Sequence, residues 1–233
     1  MAPGSRDELP LPRDPRAWRP LVPRATRRPP QIHDPILEPL WSGTRVMVHF
    51  QAPPDGNSAG WVELLDDDGQ DVGDTAPQVV EMLRGAIMAF EAVIDGILTE
   101  QATAGGEGTA LIPRAEVSRL GLLMPRRAEM SYSPAKGDDR AGEVAFVALD
   151  LLSVDGQSML DLPLLERKRQ LESLFVQSEL VRVSPHARPP LGPWLNTWKS
   201  AGFRGVMMKA ANSRYRPGDF TLEWTPIERL DQR

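Results

Sequence analysis

The feature that most constrains this chain is the run VAFVALDLL at residues 144–152, which is apolar at every position except Asp150. A strand with one exposed face alternates apolar and polar residues, whereas a run that is apolar throughout needs cover on both faces. The run therefore predicts the central strand of a sheet that lies between two other layers.

Other patterns place further elements around this strand. Val46, Val48 and Phe50 recur at every second position over residues 44–51, which is the period of a strand with one buried face. Further strands are predicted over residues 60–65, 92–98, 180–183, 205–209 and 220–227, and helices over 76–90, 114–123, 161–175 (capped by Asp161) and 193–201. Mixed strands and helices in this order, without an internal repeat, predict an α+β domain.

The first 31 residues differ from the rest, because their prolines oppose both helix and central strand. We interpret residues 1–31 as an extended arm rich in Arg and Pro, and residues 32–233 as the folded domain. The arm carries seven arginines: Arg6, Arg13, Arg16, Arg19, Arg24, Arg27 and Arg28. Two interpretations stay open. The arm either packs Trp18, Leu21 and Val22 on the domain or touches nucleic-acid phosphates.

Composition excludes several classes of protein. With 41% hydrophobic residues and 233 residues in all, the chain can bury a substantial core, and no apolar run reaches the roughly 18–20 residues of a membrane span. A net charge of −5 argues against binding nucleic acid by bulk electrostatics. The absence of cysteine excludes disulfides and fits the cytoplasm, and three scattered histidines predict no metal site.

Four segments carry specific motifs. They are EPLWSGTR at residues 38–45, AVIDG at 92–96, LDLL at 149–152, and GVMMK at 205–209 followed by SRYRPG at 213–218. Together these motifs resemble the adenylation domain of ATP-dependent DNA ligases, especially the bacterial end-joining type, over roughly residues 20–228. The resemblance implies the nucleotidyltransferase fold shared with mRNA capping enzymes, with ATP-grasp-like mixed and antiparallel sheets and flanking helices. We expect no OB-fold domain in this chain.

The departures from the family pattern fall on its chemical residues. The resemblance implies a lysine that attacks the α-phosphate of ATP, but Leu40 stands at that position, and a leucine side chain has no lone pair with which to attack. Other family positions are also changed: Ser42 replaces an aspartate, Asp67 an arginine, Ile97 and Arg204 metal-region glutamates, Leu149 the adenine-stacking ring, and Pro226 and Glu228 two lysines.

The positions at which the resemblance places the nucleotide, whether kept or changed, define the candidate cofactor-binding set. These are Glu38, Arg45, Asp95, Leu149, Arg204 and Lys209. The sequence predicts no catalytic residue and no metal ligand, and although the family uses ATP and Mg²⁺, no cofactor is expected here.

Three functions stay open at this point. The first is a catalytically degenerate ligase-like module that binds or scaffolds in DNA repair or end joining. The second is a noncovalent nucleotide-binding regulator, and the third is a residual ligase that uses a displaced lysine such as Lys209. The expected partners are DNA, contacted weakly through the arm, and a DNA-repair protein.

Overall fold

The computed structural model describes residues 13–24, 31–53, 60–100, 143–178 and 180–227, together with the backbone of 115–117 and 123–125. The strands in these residues are β1 (Val22–Pro23), β2 (Pro35–Pro39), β3 (Thr44–Gln51), β4 (Trp61–Leu65), β5 (Glu91–Thr99), β6 (Ala115–Val117), β7 (Leu123–Pro125), β8 (Ala145–Val154), β9 (Gln157–Ser158), β10 (Val181–Val183), β11 (Val206–Ala210), β12 (Phe220–Thr221) and β13 (Trp224–Ile227). The α-helices are α1 (Pro77–Ala86), α2 (Leu164–Leu174) and α3 (Gly192–Ser200).

The larger sheet has six strands in the order β10-β8-β5-β3-β4, with β9 paired to β8. β10 is parallel to β8, whereas the pairings of β8 with β5, of β5 with β3 and of β3 with β4 are antiparallel. The apolar run at residues 144–152 forms most of β8, next to β5 in the middle of the sheet, and residues 145–152 are all buried. The prediction of a central strand covered on both faces is confirmed.

Two layers cover this sheet. α1 and α2 pack on one face through an apolar cluster that includes Leu83 and Leu171. The other face carries a three-stranded antiparallel sheet, β13-β11-β2, and Met47 of the large sheet packs there with Trp224 of the small sheet. α3 covers the outer side of the small sheet. The predicted α+β class is confirmed. We call the region between the two sheets the inter-sheet layer.

Residues 13–24 lie against this layer. Trp18 and Leu21 are buried in the same cluster as Met47 and Trp224, whereas Val22 keeps 44% of its surface exposed. β1 pairs in parallel with β12, so the backbone also attaches this segment. The expectation that arm residues pack on the domain holds for Trp18 and Leu21 and is wrong for Val22.

Three local predictions are wrong. The predicted helix over 114–123 contains β6, which pairs with β7, because cross-strand hydrogen bonding decides this segment and a local period does not report it. α1 ends at Ala86, since Ile87 leaves the helix to bridge Phe175, and Phe90 is 77% exposed. Asp161 does not cap α2; its carboxylate pairs with an arginine at 2.9 Å.

Within the described part of the chain, no helix combines the length and the apolar character that a membrane span requires.

Candidate functional site

Glu38, Lys168 and Lys209 form a buried ion cluster in the inter-sheet layer. Lys168 Nζ lies 2.8 Å from Glu38 Oε1, and Lys209 Nζ lies 3.0 Å from Glu38 Oε2. Strand register explains the second contact: Met207 of β11 stands opposite Glu38 of β2, so Lys209 is its diagonal neighbour on the same face. α2 supplies Lys168 from the side. One carboxylate therefore holds two ammonium groups out of water.

The surroundings shift the ionisation of this cluster. Burial alone would raise the pKa of Glu38, but the two adjacent ammonium groups outweigh it and hold that pKa below its usual range. Burial, reinforced by Lys168, lowers the pKa of Lys209, and Glu38 offsets only part of the effect. The ammonium of Lys209 also lies 4.3 Å from the centre of the Trp224 ring. The positive charge of Lys209 is thus engaged from two sides within the protein.

A second cluster links β3, β5 and the arm. Arg45 donates two hydrogen bonds to the Asp95 carboxylate, both 2.5 Å long. The Tyr215 hydroxyl donates to Asp95 Oδ2 at 2.6 Å and accepts the backbone N–H of Leu21 at 2.9 Å. Burial and the neighbouring carboxylate raise the pKa of Tyr215 well above its usual range, which keeps the donating proton in place. Asp95 is fully buried, while Arg45 keeps 24% of its side chain exposed.

Asp150 and Arg167 form a third buried ion pair. Arg167 donates from Nε and Nη2 to the two carboxylate oxygens, each at 2.8 Å, and neither side chain is exposed. Its remaining nitrogen, Nη1, donates to the backbone oxygens of Leu162 at 2.5 Å and Ser213 at 2.9 Å. These contacts tie α2 to the central strand and to the loop after β11, so this pair positions the walls of the layer.

The part of the layer near Leu149 is apolar. Leu149 is 7% exposed and packs with Ile97, Leu180 and the half-buried Trp41. The pairing of β5 with β8 is irregular here: Asp95 stands opposite Asp150 and Gly96 opposite Ala148, which leaves Leu149 unpaired as a bulge. A bulge changes the direction of neighbouring side chains, and here both Leu149 and Asp150 face the inter-sheet layer although they are consecutive in sequence.

Leu40 and the turn after it close β2. The N–H of Leu40 donates to the Gly205 carbonyl at 3.0 Å, so its backbone is fixed beside β11 and its side chain is half-buried. Gly43 follows with φ +150°, and a Cβ there would lie 2.0 Å from the Leu98 carbonyl oxygen. No other residue fits this turn, which explains why a glycine stands there irrespective of chemistry.

Negatively charged side chains lie near the exposed part of Arg45. Asp67 is exposed in the turn after β4, and Arg45 and Asp95 both contribute to its electrostatic surroundings. Partial burial of the Asp67 carboxylate, together with the nearby Asp95, raises the pKa of Asp67, and attraction to Arg45 offsets part of that rise. Asp66 and Asp68 flank it in the same turn. Arg204, by contrast, is exposed two residues before the start of β11.

The structure brings most of the predicted residues together. Glu38 joins Lys209, Arg45 joins Asp95, and Leu149 lies in the apolar part of the layer. The sequence reasoning did not assign roles to the residues that complete these clusters, namely Lys168, Arg167, Asp150 and Tyr215. One signal was present: Lys168 falls on the core-facing period of α2, where a lysine needs a buried partner.

Among the described residues, no group of three histidine, aspartate or glutamate side chains is placed to hold a metal ion.

A large mixed sheet packs on a small antiparallel sheet, and charged residues of both meet between them, which is the arrangement expected of a ligase-type nucleotidyltransferase domain. The family model described as the ATP dependent DNA ligase domain matches residues 31–226. The chain belongs to this family.

Individual relatives and solved structures that the chain resembles are also DNA ligases or domains of them. The chain is 29% identical over 203 residues to a DNA ligase of Methanothrix thermoacetophila, covering 83% of the chain and 32% of that ligase. It is 30% identical over 203 residues to a DNA ligase of Natronomonas pharaonis, covering 84% and 33%. The chain thus spans about a third of these relatives. The crystal structure of the ligase domain of LigD from M. tuberculosis superimposes with a TM-score of 0.56 at 21% identity, covering 91% of the chain and 60% of that domain. At this identity the likeness concerns the fold.

Proposed function

We propose that this chain is a ligase-like domain that does not adenylate itself and that acts as a binding or scaffolding module in DNA repair or end joining, in the cytoplasm. The observation that carries the proposal is Leu40 at the position of the attacking lysine. Covalent transfer of a nucleotide requires an amine, hydroxyl or thiol at the point of attack, and leucine offers only carbon.

The side chains of the inter-sheet layer do not fit a complex of ATP with Mg²⁺. Such a site gathers free cationic donors and a divalent ion around the phosphate oxygens. Here Lys209 forms an ion pair with Glu38, and Arg45 forms one with Asp95. Asp67 adds a carboxylate close to Arg45, and this negative charge repels phosphate.

The residues at the positions expected to contact the adenine base and the metal ion also do not fit a complex of ATP with Mg²⁺. Leu149 stands where an aromatic ring would stack on adenine, and Ile97 stands where a metal-region glutamate is expected. Both are buried in one apolar cluster. An apolar cluster offers no oxygen ligand to Mg²⁺, which binds oxygen in near-octahedral geometry.

The first experiment measures covalent adenylation. Full-length protein is incubated with ATP and either Mg²⁺ or Mn²⁺, and its intact mass is recorded. We expect no adduct, and the Leu40→Lys variant should still fail to seal a nicked duplex because the other contacts remain changed. A 1:1 AMP adduct on the natural sequence, or nick sealing by the single variant, would refute the proposal.

The second experiment measures noncovalent nucleotide binding by calorimetry. Because the cations are paired and the stacking ring is absent, we expect no ATP affinity tighter than about millimolar, or about −4 kcal/mol. A micromolar dissociation constant would favour a noncovalent nucleotide-binding regulator over the scaffolding role. Arg45→Ala, which removes the partly exposed guanidinium, should then weaken that binding.

The proposed DNA contact runs through the arm. Arg16 pairs with Glu63 at 3.3 Å and lies 4.7 Å from the Trp61 ring centre, so the domain engages it. Arg19 donates to backbone carbonyls, including that of Trp18 at 2.8 Å. Arg13 and Arg24 are exposed. We assign five arm arginines to phosphate contact: Arg6, Arg13, Arg24, Arg27 and Arg28.

Salt-dependent binding tests this assignment. The variant replaces Arg6, Arg13, Arg24, Arg27 and Arg28 with serine and keeps Arg16 and Arg19, whose contacts belong to the fold. Duplex binding at about 50 mM salt should weaken, and the slope of log K against log salt should fall by up to about 0.9 for each phosphate that the variant no longer neutralises. Arg169→Ser, on the exposed side of α2, serves as the matched control and should change neither quantity. Absence of duplex binding at this salt would refute the arm's role.

A further inference from the structure

Three large apolar side chains are exposed together where α1 and α2 end. Phe90 exposes 77% of its surface, Met88 66% and Val176 58%. Met88 and Phe90 are two residues apart in sequence. The antiparallel bridge between Ile87 and Phe175 sets Val176 opposite Ala86, so Val176 is the diagonal neighbour of Met88 on the same outer face. We call these three residues the Phe90 patch. Single exposed apolar residues are ordinary, but contiguous ones mark interaction surfaces.

The backbone beneath the Phe90 patch is held in place. The N–H of Met88 donates to the Leu174 carbonyl, and the N–H of Val176 donates to the Ala86 carbonyl, both at 2.8 Å. Between them Ile87 and Phe175 form an antiparallel bridge and point their side chains into the core. The patch is therefore preformed, and a partner would not have to order it on binding.

Phe90 itself is fixed by a carboxylate. Asp155 accepts the backbone N–H groups of Phe90 and Glu91 at 2.8 and 3.0 Å, and the Phe90 carbonyl accepts the N–H of Ala52 at 2.7 Å. Both backbone groups of Phe90 are satisfied inside the protein, while its ring faces solvent. The ring is held outward by the fold.

The surroundings of the Phe90 patch are negative. Glu91 and Asp155 are exposed beside Phe90. The C-terminal ends of α1 and α2 meet here, and each helix end carries roughly half a negative charge. Arg84, in the last turn of α1, is already paired with Glu81 at 2.6 Å.

The Phe90 patch is separate from the inter-sheet layer. Ile87 and Phe175 beneath it belong to the core cluster on the helix-covered face of the large sheet. The ionic clusters lie on the opposite face, with Met47 and Trp224. A partner bound at the Phe90 patch would therefore lie on the opposite face of the large sheet from the candidate nucleotide-binding residues.

We infer that the Phe90 patch docks a segment of another protein that presents aliphatic or aromatic side chains flanked by arginine or lysine. Charge complementarity selects this occupant. DNA and anionic lipid surfaces would be repelled by Glu91 and Asp155, and a symmetric pair of copies would bring the same carboxylates face to face. The inference rests on the proposed function, because it specifies what the binding module binds.

The test uses a random peptide library displayed on phage and selected on the full-length chain, with counter-selection on the Met88→Ser/Phe90→Ser variant. Enriched peptides should combine apolar residues with arginine or lysine. Their affinity, measured by fluorescence anisotropy of the synthetic peptides at physiological salt, should fall at least tenfold in the double variant and about threefold in Glu91→Gln.

A matched control separates the patch from general stickiness. Phe220 is exposed by 61% and lies in β12, outside the patch, so Phe220→Ser should leave peptide affinity unchanged. Because the substituted side chains are exposed, all variants should keep the melting temperature of the natural protein.

Four outcomes would overturn the inference: no enrichment, enrichment of acidic peptides, equal affinity in the double variant, or an equal loss in Phe220→Ser. A dimer in sedimentation that Phe90→Ser dissolves would assign the patch to a second copy and would overturn it as well. None of these outcomes bears on the adenylation measurement, so the two proposals fail independently.

Discussion

Replacement of Glu38 by glutamine removes the carboxylate that holds Lys168 and Lys209 at 2.8 and 3.0 Å. Glutamine has nearly the same shape, so the change isolates the charge. Two ammonium groups would then remain side by side, each with 4% or less of its side chain exposed. A buried charge without its partner is strongly unfavourable, because burial withdraws the water that would solvate it.

The magnitude follows from this geometry. Removing one partner of a buried ion pair costs about 3–5 kcal/mol. Deprotonation of a lysine limits the loss, since neutralising an ordinary lysine at pH 7 requires about 5 kcal/mol. The pKa of Lys209 is already lowered, so its neutralisation requires less. We therefore expect Glu38→Gln to lose about 3–5 kcal/mol at pH 7, or roughly 6–20 °C in melting temperature for a chain of this size.

The pH dependence has a definite sign. Glu38 has a lowered pKa when folded, so in the natural protein its contribution is complete above the unfolded value and is lost only as pH falls through the folded pKa. Lys209 also has a lowered pKa, so its unfavourable burial fades as pH rises toward the unfolded lysine value of about 10. Without Glu38 this relief is larger. The difference in unfolding free energy between the variant and the natural protein should therefore shrink from pH 7 to about pH 10.

Urea denaturation followed by tryptophan fluorescence, repeated from pH 7 to about pH 10, measures this gap. Glu166→Gln is the matched control, because Glu166 pairs with Arg169 on the exposed side of α2 and such surface pairs contribute about 0–1 kcal/mol. Adding Lys209→Met to Glu38→Gln should recover part of the loss. A loss under about 1 kcal/mol, or a gap that does not change with pH, would refute a buried, charge-dependent cluster.

Three further predictions concern the framework. Gly96→Ala would place a Cβ 2.2 Å from the buried Phe146 ring, so unfolding free energy should drop by about 1–3 kcal/mol or more, and an unchanged denaturation midpoint would contradict the close approach. Burial, reinforced by a nearby arginine, lowers the pKa of His49 to about 4; stability should therefore fall as pH drops from about 6.5 toward 4, and His49→Phe should flatten that part of a melting-temperature profile. Tyr215→Phe removes the acceptor of the Leu21 N–H, so hydrogen exchange at Leu21 should accelerate and stability should fall by about 1–3 kcal/mol, whereas unchanged exchange would place the arm's attachment elsewhere.

Elements that depend on local pattern could be predicted from the order of residues. Alternation over residues 44–51 predicted β3 with its bounds, and the nearly continuous apolar run predicted β8 as a central strand, because burial marks the side-chain period. The prediction that β3 buries only one face is wrong: residues 46–50 are all buried, because the small sheet covers Met47 on the second face. The motifs were likewise sufficient to identify the ligase family. That Leu40 stands at the position of the attacking lysine is a prediction from the order of residues alone.

Tertiary structure decided what depends on distant partners. Lys209 meets Glu38 across 171 positions and Tyr215 meets Asp95 across 120, separations that no local period reports. The bulge that leaves Leu149 unpaired arises from the register between β5 and β8. The physical reason is common to all of these features: a period records which face of an element is buried, while the partner across that face is chosen only when remote segments pack and their charges must be satisfied.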